Sequence, residues 1–147
     1  MENATINTAN AVPARLKTDL LIIGGGSGGL SIAAGAAQMG ADVTLLEGHL
    51  MGGDCLNFGC VPSKALIAAG KQAHSQEAAT FGVSPVTPKV NYASAKDHVK
   101  SVIATIEPHD SQERFESLGV RVIREFGRFI SPTEVQAGDT VITARRS

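Results

Sequence analysis

The chain has 147 residues, 43% of them hydrophobic, with a mean hydropathy close to zero; that suffices for one domain with its own core but not for two. Lys and Arg total 13 and Asp and Glu 14, a formal charge of -1, so no overall field draws the protein to a polyanion and nucleic acid is not expected as a partner. The apolar run around 20–23 is far short of the roughly 20 residues of a membrane span, no secretory signal is visible, and 2 cysteines are too few for a disulfide scaffold. A cytoplasmic location is expected, where a cysteine pair more often serves catalysis or a metal than structure.

Residues 1–18 are polar, rich in Ala, Asn and Thr, and read as a flexible tail; residues 19–147 form the folded unit. The continuous apolar stretch at 19–24 predicts a strand buried on both faces. Residues 27–39, Ala-rich and without Pro, predict a helix stopped by Gly40. Residues 41–47, with Val43 and Thr44, predict a second buried strand. Strand, helix and strand in about 30 residues make a right-handed βαβ unit, hence a parallel sheet and an α/β architecture. A glycine-containing loop follows at 48–54, then a helical stretch at 56–79 interrupted by Gly59 and Pro62, then a connection at 81–90 carrying Pro85 and Pro88. An amphipathic helix is expected over 94–106, with Val99, Val102, Ile103 and Ile106 on one face and Ser94 and Asp97 as an N-terminal capping pair. A short helix over 110–118, closed by Gly119, places Asp110 and Glu113 in the same arrangement. Beyond Val120 the period changes to two. Segments at 120–126, 128–131, 133–137 and 140–145, separated by Gly127, Pro132 and Gly138-Asp139, predict a small antiparallel β meander.

Of the 16 glycines, ten fall between Gly24 and Gly53. Gly24-Gly25-Gly26-Ser27-Gly28-Gly29 fits G-x-G-x-x-G, with Gly24, Gly26 and Gly29 in register. The first allows a tight turn out of the strand, the second lets a pyrophosphate approach the backbone, and the third lets helix and strand pack closely. The helix N-terminus then offers free N–H groups and the positive end of its dipole. As a bare pattern such a turn is common. Here it follows a strand, opens a helix, and is followed by Glu47 at the end of the second strand, where a carboxylate can accept from both hydroxyls of an adenosine ribose. The combination predicts dinucleotide binding, and the acid disfavours a ribose carrying a 2′-phosphate.

Cys55 and Cys60 admit three readings: inert thiols, a metal site, or a redox-active dithiol. Across a regular helix the two would be about 7.5 Å apart in rise and roughly 140° apart in rotation, too far for a disulfide, whose Cα atoms lie within about 7 Å. A first turn distorted at Asn57 and Gly59, with Pro62 blocking ordinary helix bonding, would permit closer approach. Adding His49 or His74 gives no standard zinc spacing, so no metal site is assigned. The neighbouring sequence separates the readings.

That sequence is Gly52-Gly53-Asp54-Cys55-Leu56-Asn57-Phe58-Gly59-Cys60-Val61-Pro62-Ser63-Lys64. It resembles the GGTCxNxGCxPSK signature of the flavin-dependent pyridine nucleotide–disulfide oxidoreductases, the family of dihydrolipoamide dehydrogenase, mercuric reductase and glutathione reductase. The motif lies at the family's usual distance from the Gly-rich turn, and the resemblance covers about residues 19–147. The Ser63-Lys64 ending is closer to the lipoamide and mercuric branches. The resemblance implies the N-terminal part of a Rossmann-like FAD-binding domain, with FAD rather than NAD at the first Gly-rich turn. By it, Gly24, Gly26, Gly29, Glu47, Gly52, Gly53 and Lys64 contact FAD, Lys64 beside the flavin ring. The same resemblance implies that Cys55 and Cys60 form the redox disulfide, with Cys60 nearest the flavin and Cys55 exchanging with substrate. Electrons then pass from NAD(P)H through FAD to the disulfide, and on to a small-molecule disulfide, protein-bound lipoamide or a soft metal ion. Lys64 favours the thiolate by Coulomb attraction.

Asp54 stands where the signature has Thr and is assigned no contact. Family members are much longer. The NAD(P)H domain, the rest of the FAD domain and a dimerisation domain with a catalytic His–Glu pair lie outside these 147 residues, so His49, His74, His98 and His109 receive no role. The full-length protein is expected to be a homodimer and the 147-residue chain an N-terminal portion without turnover of its own. The alternative is a non-catalytic flavin-binding or thiol-redox module.

Overall fold

The computed structural model describes residues 13–77 and 82–147. The described elements are β1 (Ala14–Ile23), α1 (Ser27–Gln38), β2 (Val43–Leu46), α2 (Gly53–Asn57), α3 (Cys60–Ser75) and α4 (Tyr92–Ile106), then a 3-10 turn at Glu107–Asp110, α5 (Gln112–Ser117), β3 (Arg121–Ile123), β4 (Gly127–Ser131), β5 (Glu134–Ala137) and β6 (Thr140–Arg146). They build one six-stranded mixed sheet in the order β3-β2-β1-β6-β5-β4. The half β3-β2-β1-β6 is parallel and the half β6-β5-β4 antiparallel.

β2 shows why the apolar run becomes a strand without alternation. It has a parallel neighbour on each side, with Leu20 opposite Val43 and Thr44 opposite Arg121, and all four of its residues are buried. Layers cover both faces of such a strand, so both faces must be apolar or internally bonded. One core cluster joins Ile22, Val43 and Leu45 to Leu30 and Ala33 of α1 and to Phe115 of α5. A second joins Leu21 and Leu46 to Val135, Ala137 and Ile142. Among the described residues no helix is long and apolar enough to cross a membrane.

The α/β architecture with a parallel sheet and an added antiparallel part matches the sequence expectation; several boundaries do not. Residues 1–12 of the expected tail lie outside the described residues, and from Ala14 the chain is already strand. Arg15, Leu16 and Lys17 face Val141, Ile142 and Thr143 of β6, so the strand begins inside the stretch expected to be a flexible tail. The first segment of the expected meander is instead β3, which pairs parallel with β2. Only β4, β5 and β6 form the meander, and β6 also joins the parallel half through β1. The helix caps differ too. Asn91, not Ser94 with Asp97, caps α4 by accepting from Ser94 N at 3.3 Å. Ser111, not Asp110 with Glu113, caps α5 by accepting from Arg114 N at 3.3 Å. The difference is one of boundaries: α4 begins at Tyr92, so Ser94 already lies inside it, and α5 begins at Gln112, so Asp110 still belongs to the preceding 3-10 turn and Ser111 holds the capping position. The interrupted helix resolves into α2 and α3, and residues 78–79 of it, with Phe81 of the following connection, lie outside the described residues.

Candidate functional site

Two glycine turns meet at the carboxyl ends of the parallel strands. The first leaves β1. Gly24 donates its N–H to Leu46 O at 2.8 Å, extending the β1–β2 pairing by one step, and turns at a φ of +108° that side chains rarely adopt. A Cβ on Gly29 would lie 2.0 Å from Gly24 O, so the third glycine is demanded by the chain folding back on itself. Gly26 is different. It is the extended N-cap residue of α1, no side chain caps that helix, and a Cβ on it would meet nothing nearer than Gly53 Cα at 4.0 Å. The protein leaves space there that its own packing does not fill, beside an uncapped helix N-terminus. That arrangement fits a phosphate-bearing cofactor.

The second turn, Gly52-Gly53, lies against the first. Gly52 N donates to Gly25 O at 2.9 Å, and a Cβ on Gly53 would approach Gly26 Cα to 2.7 Å. Asn57 fixes this turn to α2, donating from Nδ2 to Met51 O at 3.1 Å and to Gly53 O at 2.8 Å.

Glu47 joins the Gly-rich turn to the exit of β2. Its Oε2 accepts from Gly25 N at 2.7 Å and its Oε1 from His49 N at 2.7 Å. A carboxylate has about four acceptor positions, so each oxygen keeps capacity for a further donor such as a ribose hydroxyl. The side chain is both a brace and a candidate receptor.

The helix is broken between the cysteines. Phe58, with φ -133°, closes α2, and Gly59, with φ -109° and ψ -105°, precedes α3, which opens at Cys60. Phe58 N and Gly59 N both return to Asp54 O, at 2.9 and 2.6 Å. The Asp54 carboxylate lies over Gly59, where an added Cβ would meet its Oδ2 at 2.8 Å. Cys55 and Cys60 are free thiols here, the first half-buried and the second exposed. A hydrogen bond with the Cys60 thiol holds Cys55 above the ordinary thiol range; desolvation and the Cys60 charge act in the same direction, and the exposed Lys64 ammonium opposes them. The structure therefore brings Gly24, Gly26, Gly29, Glu47, Gly52 and Gly53 into one connected patch, with Cys55, Cys60 and Lys64 on the adjoining helices α2 and α3. Next to the cysteine turn, a cleft of about 340 Å³ is lined by Phe58, Pro62, Leu66, Tyr92, Lys96 and Val99.

The sequence pattern missed Arg124. It follows β3 and donates from Nε to Glu47 O at 3.1 Å and from Nη2 to His49 O. It acts on backbone carbonyls far away in the chain, and no local pattern announces such a role.

The sequence matches the pyridine nucleotide-disulphide oxidoreductase family over residues 18–146. The chain belongs to that family. It is similar to dihydrolipoyl dehydrogenase 2, chloroplastic, of Arabidopsis thaliana, with 32% identity over 149 residues that cover 97% of this chain and 26% of that protein. Dihydrolipoyl dehydrogenase 2 of Haloarcula marismortui is 37% identical over 120 residues, 81% of this chain and 25% of its own. In fold it resembles the HOCl-induced flavoprotein disulfide reductase RclA from Escherichia coli, solved as a Cu(II) complex, with a TM-score of 0.65 at 22% identity over 81% of this chain and 24% of that one. The chain thus spans about a quarter of the length of these relatives. The pyridine nucleotide-disulphide oxidoreductases bind FAD and use NAD(P)H, and the open approach at Gly26 agrees with a dinucleotide at this turn.

Proposed function

We propose that this chain is the FAD-binding, dithiol-bearing part of a disulfide oxidoreductase of the dihydrolipoamide dehydrogenase type, taking electrons from NAD(P)H to a small-molecule disulfide or protein-bound lipoamide. The observation that carries the reading is the contact between the two glycine turns, Gly52 N on Gly25 O at 2.9 Å. It ties the nucleotide cradle to the segment that bears Cys55 and Cys60. Bound FAD supplies two-electron exchange between the nicotinamide and the cysteine pair.

The chain's own residues do the rest. Gly24, Gly26 and Gly29 with the N-terminus of α1 receive the pyrophosphate, and Glu47 accepts from the ribose. In the reduced form the Cys55 thiolate attacks a substrate sulfur. A mixed disulfide forms, the substrate S–S bond breaks, and the departing thiolate takes a proton. Cys60 then attacks the Cys55 sulfur, the Cys55–Cys60 bond closes, and the second substrate thiol leaves. Lys64 stabilises the thiolate that attacks. The apolar cleft at Phe58, Leu66 and Val99 suits a disulfide carried on a hydrocarbon arm.

A soft metal ion is the second substrate reading, supported by the two adjacent free thiols and by Ser63-Lys64. The full-length protein is read as a cytoplasmic homodimer. Flavin titration of the purified chain, with thiol alkylation and mass spectrometry before and after a reductant, tests the reading. Flavin binding and two thiols alkylated only after reduction are expected. Flavin binding with thiols that never interconvert would favour a non-catalytic flavin-binding module, and absence of both would overturn the assignment.

A further inference from the structure

We infer that Arg124 is a positioning residue for the adenosine end of the cofactor, acting through the Glu47–His49 segment; this rests on the FAD reading above. Glu47 can meet a ribose only if its carboxylate keeps a fixed aim. One oxygen is pinned by Gly25 N in the rigid turn, the other by His49 N, and His49 belongs to a segment outside any helix or strand. The His49 ring stacks on Phe58 with centroids 6.3 Å apart, and the backbone of that segment is held by the guanidinium of Arg124. It spans Gly48, donating to the carbonyls of Glu47 and His49 on either side. Phe126 lies across Gly48, where an added Cβ would stand 2.5 Å from its ring. The backbone that presents Arg124 is itself anchored, because Glu47 N donates to Ile123 O at 3.1 Å. Among the described residues Arg124 has no carboxylate partner, so its fork is committed to this loop. A planar fork can hold two carbonyls at once in fixed geometry, and an ammonium cannot.

Arg124 is exposed, so its removal leaves the core intact and the loss falls on ligand binding. FAD affinity is read from quenching of flavin fluorescence, and ADP affinity by calorimetry, for the parent, R124Q, R124K, E47A and E47A/R124Q. The expectation is about tenfold weaker FAD and ADP binding by R124Q, a smaller loss by R124K, and a double variant no weaker than E47A, because a charge-assisted pair is lost and its effect runs through Glu47. The melting temperature without ligand should stay near that of the parent. Parent-like binding by R124Q, losses that multiply in the double variant, or a ligand-free melting temperature lowered in step with affinity would each overturn the inference. Failure of the parent itself to bind FAD or ADP would overturn the functional reading as well, and is distinguished by occurring before any substitution.

Discussion

The β1–α1–β2 unit and the α3–α4 pair stand on opposite foundations, although they carry the two halves of one site. Val43 and Leu45 of β2 are 0% exposed, and α1 adds the buried Leu30 and Ala33. In α3 only Ala65 is buried, Leu66 and Ile67 stand 42% and 57% exposed, and α4 buries no residue. The nucleotide cradle is therefore an outgrowth of the core, while the cysteine segment is held by the single buried Leu56 of α2, by backbone bonds between glycine turns and by Asn57. Stability and reactivity are separable in such a molecule. Changes in the first region act through packing, and changes in the second act mainly on chemistry.

The strongest way to break this contrast is to attack the core side. Leu45→Ala should cost about 2–5 kcal/mol of unfolding free energy in urea, and Gly29→Ala about 3 kcal/mol because its new methyl meets Gly24 O. Val99→Ala in α4 should cost less than about 1 kcal/mol. Equal losses would mean that the helical pair is as deeply anchored as the sheet. Gly26→Val sharpens the distinction within a single turn. It should cost ligand-free stability only about 1 kcal/mol, the scale of exchanging a good N-cap residue for a poor one, yet remove flavin binding, since the new side chain fills the approach that the protein leaves open. Glu47→Ala should weaken FAD by about 1–3 kcal/mol in a fluorescence titration, a smaller loss than that of Gly26→Val.

The smallest effect concerns pH. With Cys55 held above the ordinary thiol range by Cys60, its thiolate forms only at higher pH, so iodoacetamide labelling of the reduced chain should rise late. Cys60→Ala removes the neighbour and should move the labelling midpoint down in pH, and Lys64→Gln should move it up. Rapid-mixing measurements of labelling rate against pH check both signs.

Continuous apolar runs made β1 beyond Thr18 and β2 legible, because burial on both faces leaves no other use for such a stretch, and α1 was legible from its Ala-rich, Pro-free composition and the stop at Gly40. The Gly-rich turn and Glu47 were legible from spacing, and the cysteine segment from its resemblance to a long motif. The first half of β1 was not. Ala14, Arg15 and Lys17 are exposed, and their reason for being strand is β6, whose residues come near the other end of the sequence. Likewise the two-residue period of β3 marks a strand but carries no information about its partner, and Arg121 facing Thr44 is a long-range fact. Arg124 was invisible for the same reason. Its targets are main-chain oxygens, and every residue has one.

The pairing of Ala14 with Thr140 and of Leu20 with Arg146 also sets a problem of timing. At ribosomal speeds of about 5–20 residues per second, β1 emerges roughly 6–25 s before its second neighbour has been made. During that interval β1, α1 and β2 can assemble locally, but one flank of β1 stays an open edge, a template for strands of other molecules. The exposed cations Arg15 and Lys17 sit in that waiting segment. Charges on an unpaired edge disfavour intermolecular pairing, so the polar start of β1 suits a strand that must wait for β6.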